Sequence, residues 1–242
     1  MESSSGALTE RTTAMKQNQR VPIIYEDNHL LVVEKPVNML SQSDSTGDLD
    51  LLTLLKEDLK QRYQKPGNVY LGLVHRLDRP VGGIMVFAKT SKAASRLSQQ
   101  VVDRKIEKTY LAIVHGSPRQ KQGELIHYLE KDRKANRVTA HLKPGGERKK
   151  AQLDYEVIAS SEGFSLVRVH LHTGRSHQIR VQLATIGHPL YGDQRYGAQR
   201  TKQGEQIALW AYELGLTHPT TKEQLFYRCN PPKQFPWVLF KT

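Results

Sequence analysis

The chain has 242 residues, enough for one large domain or two small ones with a real core. Its 38% hydrophobic and 25% charged content is ordinary for a globular protein, but 36 Lys and Arg stand against 24 Asp and Glu, a formal net charge of +12. Such a surface attracts polyanions, with nucleic acid the first candidate, and no apolar run approaches the roughly 18 residues of a membrane-spanning helix.

The opening stretch, "MESSSGALTERTTAMKQNQR", lacks the apolar centre of a signal peptide, and residues 1–20 read as a polar tail. One cysteine, Cys229, allows neither an internal disulfide nor a Cys-type zinc site, which suits a reducing cytoplasm. Order begins with two β-rich runs, Ile23 to Tyr25 and His29 to Glu34, around an Asp27-Asn28 turn, and Pro36 ends the second. Leu51, Leu54, Leu55 and Leu59 then recur at helical spacing, with Asp48 or Asp50 as cap. A short strand in "YLGLVHRLD" precedes the apolar run "GGIMVFAKT". The next helix, "SKAASRLSQQVVDRK", is assigned Ser91 as cap and an inward face of Ala94, Leu97 and Val101. "KTYLAIVHG" reads as a strand, and from Glu124 to His172 short β-rich runs alternate with polar turns, of which "KPGGERKK" is the clearest. "SHQIRVQLATIGHP" is a further helix, closed by Gly187 and Pro189, and two strands follow in "IALWAYELGLTHP" and "EQLFYRC". Many short strands with few helices, without regular βαβ alternation, predict an α+β fold with a largely antiparallel sheet.

Three clusters carry chemistry. In "HRLDRPVGG", Asp78 lies between Arg76 and Arg79, and nearby cations favour the ionised carboxylate. It is either half of an ion pair at a strand end or a reactive carboxylate in a site built for a polyanion. Spacing alone points to the ion pair; Pro80, Gly82 and Gly83 after it raise the second reading, since they let the backbone turn and a ligand approach. In "GRSHQIR", Arg175, His177 and Arg180 are read as lying within the first turns of a helix. They form a phosphate site, the partner of Asp78, or a solvated basic helix end. Tyr110 in "KTYLAIVHG" is a core tyrosine or a platform for a flipped base. His170, His172, His177 and His188 are close in sequence, but their spacing matches no standard zinc pattern, so no metal is expected.

"HRLDRPVGGIMVFAKT" resembles the aspartate motif of the RluA-type RNA pseudouridine synthases. "IIYEDNHLLVVEKPVNML", "KTYLAIVHG", "TGRSHQIRVQLATIGHPLYGDQRYG" and "IALWAYELGLTHP" resemble the same family in the same order, over roughly residues 21 to 240. The resemblance implies one catalytic domain over residues 21–242, with a long, bifurcated, mostly antiparallel sheet, flanking helices and a central cleft. It implies isomerisation of uridine to pseudouridine in ribosomal or transfer RNA, by a monomer, with no cofactor. By position, Asp78 matches the essential aspartate, Tyr110 the tyrosine that stacks on uracil, and Arg180 the arginine paired with the aspartate. Arg76 matches an arginine that holds RNA once the base has left the stack, and Leu209 a leucine of the base pocket. Arg175 and His177 are further substrate-binding candidates. Two departures stand out: Val81-Gly82-Gly83 replaces the usual Thr-Ser-Gly, and Trp210 replaces a usual histidine. The first is expected to alter a substrate-contacting loop. The family's frequent N-terminal S4-like domain is not expected here, which leaves target selection to the catalytic domain. The rival from another class is a non-catalytic RNA-binding protein on the same scaffold.

Overall fold

The computed structural model describes residues 21–240; the tail expected over residues 1–20 lies outside them. Strands β1 (Ile23–Glu26) and β2 (Leu30–Lys35) form the first hairpin. The Asp27 carboxylate accepts the N–H groups of His29 and Leu30 at 2.7 and 2.6 Å, which is why an aspartate sits at that turn. Helix α1 (Leu51–Arg62) buries Leu51, Leu55 and Leu59, and its cap is Asp50, whose carboxylate accepts from Thr53 N. Asp48 instead binds Arg79. The two-residue β3 (Gly72–Leu73) leads to β4 (Gly82–Ala88), every residue of which is buried.

Helix α2 (Ser91–Val102) is capped by Thr90 rather than Ser91, and Ala93 and Leu97 are its buried positions. There follow β5 (Glu107–His115), β6 (Gln122–Asp132), β7 (Arg137–His141), β8 (Lys149–Ser161) and β9 (Phe164–Leu171). The region from Glu124 to His172 therefore holds long strands, not only short runs; β8 alone has 13 residues. Helix α3 (Gln178–Thr185) is followed by β10 (Leu209–Thr217) and β11 (Gln224–Arg228).

Among the described residues, all eleven strands join one sheet, in the order β1-β2-β4-β10-β5-β9-β8-β6-β7, with β11 on β10 and β3 on β4. Every pairing is antiparallel except that of β4 with β10, which joins only Gly82 to Trp210 and Gly83 to Ala211. Beyond those two rungs the sheet forks: β4 continues beside β3, and β10 continues beside β11. Helix α2 ties the two arms, because Gln100 exchanges hydrogen bonds of 2.8 and 3.0 Å with the backbone of Thr217. The fold is α+β, with the bifurcated, mostly antiparallel sheet that the sequence motifs imply.

Gly82 and Gly83 explain the seam. A Cβ on Gly83, at φ +114°, would overlap the backbone of Ala211, and one on Gly82 would overlap the Trp210 ring. These glycines admit strand β10, not a ligand, which corrects the reading of a flexible substrate-contacting loop. The same contact joins the two departures from the family pattern, since the Trp210 ring occupies the space that a side chain at position 82 would need.

The main core runs along β2, β4, β5 and β10. A smaller cluster of Leu129, Val138, Ala151 and Val181 holds α3 against the β6–β7 hairpin. That cluster brings the hairpin to the edge of the cleft.

Candidate active site

A cleft of about 1270 Å³ opens beside the seam. Asp78, Tyr110, Arg180, Arg76, Arg175 and His177 all line it, as does Leu209. It is larger than a typical small-molecule pocket, as suits a nucleotide with part of its flanking chain.

Asp78 sits in a turn whose carbonyls are all held. Ser41 Oγ donates to Leu77 O at 2.9 Å, and Val81 N donates to Asp78 O at 3.0 Å. Lys35 Nζ donates to Arg79 O at 3.1 Å, and Gln206 Nε2 to Pro80 O at 2.6 Å. Four consecutive carbonyls, three pinned from β2, its following loop and the segment before β10 and one within the turn itself, fix the backbone that carries Asp78. Lys35 is fully buried and also donates to Pro36 O and Met39 O. Burial pushes its pKa down to about 7, against the pull of nearby Asp78.

Neither neighbouring arginine in the chain is the partner of Asp78. Arg79 turns to Asp48 at 2.6 Å, and Arg76 is exposed at the cleft. The partner is Arg180, whose Nη1 reaches Asp78 Oδ2 at 3.2 Å. The Asp78 side chain keeps 28% of its exposure, so the pair is open to substrate on one side.

Arg180 is held more firmly from behind. Its Nε and Nη2 form a two-pronged contact with Asp193, each at 2.8 Å. Asp193 is completely buried and also accepts the N–H groups of Arg195 and Tyr196. Burial would raise the Asp193 pKa, but Arg180 and the two backbone donors hold it below the ordinary carboxylate value. Burial opposes the charge of Arg180 in the same way, and Asp193 and Asp78 more than restore it. Asp193 lies within "YGDQRYG", but no sequence signal set its role apart, because the contact depends on the loop after α3 folding back.

His177 and Arg175 do not lie inside the helix, as the sequence reading has them. His177 precedes α3 in a left-handed conformation, φ 52°, and Arg175 is exposed and donates to Lys150 O. The Gln178 side chain accepts from Arg175 N and Thr173 Oγ1, which occupies the approach to the helix start. His177 Nε2 stands 4.0 Å from Asp78 Oδ2.

Tyr110 is buried on β5, opposite Ala211 of β10 and Val169 of β9. Burial, and then the Asp78 charge, push its pKa up, so it remains a neutral phenol. Two residues earlier, Lys108 also lines the cleft. Its pKa is lowered by burial, and its ammonium meets no acceptor among the described residues. Leu209 is buried at the start of β10, opposite Ala112. The four histidines considered for zinc have separate partners: Thr109 for His170, Asp154 for His172, Tyr196 for His177 and His115 O for His188.

A family model described as RNA pseudouridylate synthase matches residues 29–185. The chain belongs to the RNA pseudouridylate synthase family. It is 35% identical over 218 residues to an uncharacterized RNA pseudouridine synthase of Bacillus subtilis, covering 89% of this chain and 70% of that one. It is 34% identical over 241 residues to the ribosomal large subunit pseudouridine synthase D of Zymomonas mobilis, covering 94% and 75%. Among solved structures, human RNA pseudouridylate synthase domain containing 1 matches with a TM-score of 0.72 and 25% identity, over 90% of this chain and 85% of that one. Human RNA pseudouridylate synthase domain containing 4 shares the fold at the same TM-score and 22% identity. As a family member the chain is an RNA pseudouridine synthase, an isomerase of uridine in RNA. No helix among the described residues is long and apolar enough to cross a membrane.

Proposed function

We propose that residues 21–242 act as one catalytic domain that isomerises uridine in structured ribosomal or transfer RNA, with Asp78 as the reacting carboxylate. The observation that carries this reading is the disposition of the Asp78 oxygens. Oδ2 faces Arg180 and His177, whereas Oδ1 has no donor among the described residues and belongs to a half-open side chain. One oxygen is anchored and the other is offered to the cleft.

The reaction breaks the ribose C1′–N1 bond and forms C1′–C5, with the C5 proton lost and N1 gaining one. Asp78 serves it by attacking C1′ or by taking the 2′ proton. Arg180 holds one oxygen of Asp78 and aims the carboxylate. Tyr110 gives the uracil a stacking face and, as a neutral phenol, a proton donor. Leu209 walls the base pocket. The freed uracil must stay until it is rejoined, which a pocket lined by Tyr110 and Leu209 favours over loss to water.

Arg76, Arg175 and Lys108 are assigned to the RNA phosphates. All three line the cleft, and Lys108 is a partly desolvated cation without an internal partner among the described residues. Relatives named for the ribosomal large subunit favour ribosomal RNA as the first substrate to try. The reading assigns no metal or cofactor and has a single chain act in the cytoplasm.

The test is conversion of uridine by purified protein in ribosomal and transfer RNA, without added metal. Asp78→Asn is expected to abolish conversion and leave RNA affinity nearly unchanged, since the change is isosteric. A protein that binds these RNAs and converts no uridine would be a binding module on this scaffold. Retained single-turnover conversion in Asp78→Asn would remove Asp78 from its assigned role.

A further inference from the structure

Tyr196 stands behind the site, on the loop after α3. Its hydroxyl has two neighbours: Val138 N at 2.9 Å and His177 Nδ1 at 2.8 Å. The Val138 amide can only donate, so it takes a lone pair of the phenol oxygen. The phenol proton then needs an acceptor, and among the described residues the atom in reach is His177 Nδ1. A neutral imidazole whose Nδ1 accepts carries its proton on Nε2. Nε2 is the nitrogen that faces Asp78 Oδ2 at 4.0 Å.

The imidazole is neutral for a clear reason. Burial lowers the His177 pKa; Asp78 raises it, but Arg180, Arg195 and Lys131 oppose the charge, and the net displacement is downward. The Tyr196 ring is itself fixed, lying beneath the guanidinium groups of Arg180 at 5.3 Å and Arg137 at 5.8 Å and edge-on to the His177 ring. The left-handed backbone at His177 is a strained conformation for a residue with a Cβ, and it is retained at the residue that presents this ring.

We infer that Tyr196 is a positioning residue for the isomerisation: its hydroxyl fixes His177 in the Nε2–H form and so aims a neutral donor at the Asp78 oxygen already held by Arg180. The inference rests on Asp78 being the reacting carboxylate. Two donors on one oxygen leave the other free and restrict rotation of the carboxylate. At 4.0 Å the His177 donor faces the oxygen without yet bonding to it, and in this scheme substrate binding closes that gap, since catalytic contacts are often long in unliganded enzymes. The same hydroxyl anchors β7 through Val138, so seating of the β6–β7 hairpin and orientation of the carboxylate share one atom.

The test has two arms. In protein labelled with nitrogen-15 at histidine and free of RNA, His177 is expected to show a proton-bearing Nε2 and a bare Nδ1. Tyr196→Phe, which keeps the ring, should replace that spectrum by a mixture of tautomers. In single-turnover conversion, Tyr196→Phe should be slower by roughly ten-fold, the equivalent of about 1.4 kcal/mol of orientation, with RNA affinity within about two-fold of the parent. His177→Gln places an amide donor near the Nε2 position without needing the phenol, so Tyr196→Phe should cost little further in that background. A parent spectrum with the proton on Nδ1 overturns the proposal, as does an undiminished rate in Tyr196→Phe or full additivity in the double variant. A parent enzyme that converts no uridine counts against the activity reading, and the tautomer spectrum still decides the geometry on its own.

Discussion

Asp193→Asn and Asp78→Asn should separate stability from chemistry. Both changes are isosteric and both strip a carboxylate from Arg180. The Asp193 side chain is fully buried and accepts four hydrogen bonds, two from Arg180 and two from backbone N–H groups. An Asn there sets an amide N–H against the Arg180 donors and leaves a guanidinium of 8% exposure without its main counter-charge. Breaking a buried pair from one side costs about 3–5 kcal/mol. For a domain of this size that is roughly 6–20 °C in Tm, at about 2–4 °C per kcal/mol. Asp78 makes one contact at 3.2 Å and is 28% exposed. Its replacement should change stability by less than about 1 kcal/mol, as for exposed pairs. Thermal unfolding and single-turnover conversion on the same preparations measure both. The expected pattern is a folded, inactive Asp78→Asn and a clearly destabilised Asp193→Asn. Equal Tm decreases, or a larger one for Asp78→Asn, would refute the assignment of Asp193 as the main support of Arg180.

The same buried carboxylate predicts a pH dependence: with a folded pKa below its unfolded value of about 3.9, Asp193 stabilises fully above that value and less as pH falls through the folded one. Urea unfolding from pH 6 to 3 should therefore show a shallower decline in Asp193→Asn than in the parent, and identical slopes would exclude the effect. Gly82→Ser should cost about 1–3 kcal/mol by overpacking against Trp210, and Trp210→His in the same chain should relieve it; additive effects would disprove the pairing. Tyr110→Phe keeps the stacking face, so RNA should bind well and turn over slowly, whereas normal turnover would mean that the hydroxyl is not used. Removing the charges of Arg148, Lys149 and Lys150 should flatten the salt dependence of RNA binding. The expected change is roughly 0.7–0.9 in log–log slope for each phosphate that the turn neutralises, mainly at the two lysines because Arg148 is engaged with Glu130; an unchanged slope assigns the turn to solvation.

The elements with strong local signals were legible in the sequence. Apolar spacing marks α1 and α2, and β-rich runs bounded by turns mark β1, β2, β4 and β5. Asp78, Tyr110 and Arg180 could be singled out because each sits in a long ordered motif, and all three do meet at the cleft. What escaped the sequence is support delivered over distance. Lys35, Ser41 and Gln206 look like an ordinary strand end and loop polars, yet they hold the carbonyls around Asp78. Asp193 and Tyr196 act only once the loop after α3 returns to the site. Gly82 and Gly83 were visible as a backbone device, but the partner they admit, β10, is far along the chain and has no local mark.

The seam between β4 and β10 also sets a timetable. Asp78 belongs to the part of the chain made first, whereas Tyr110, Arg180 and Leu209 follow it, and β10 is next to last among the strands to be synthesised. Until β10 arrives, the edge of β4 at Gly82 and Gly83 has no neighbour, and the Asp78 turn lacks the grip of Gln206. A nascent chain therefore carries Asp78 without its Arg180 partner and without the support of Gln206 until those segments follow. The cleft is thus completed late in the chain, when the segment that carries Gln206 and β10 closes the seam.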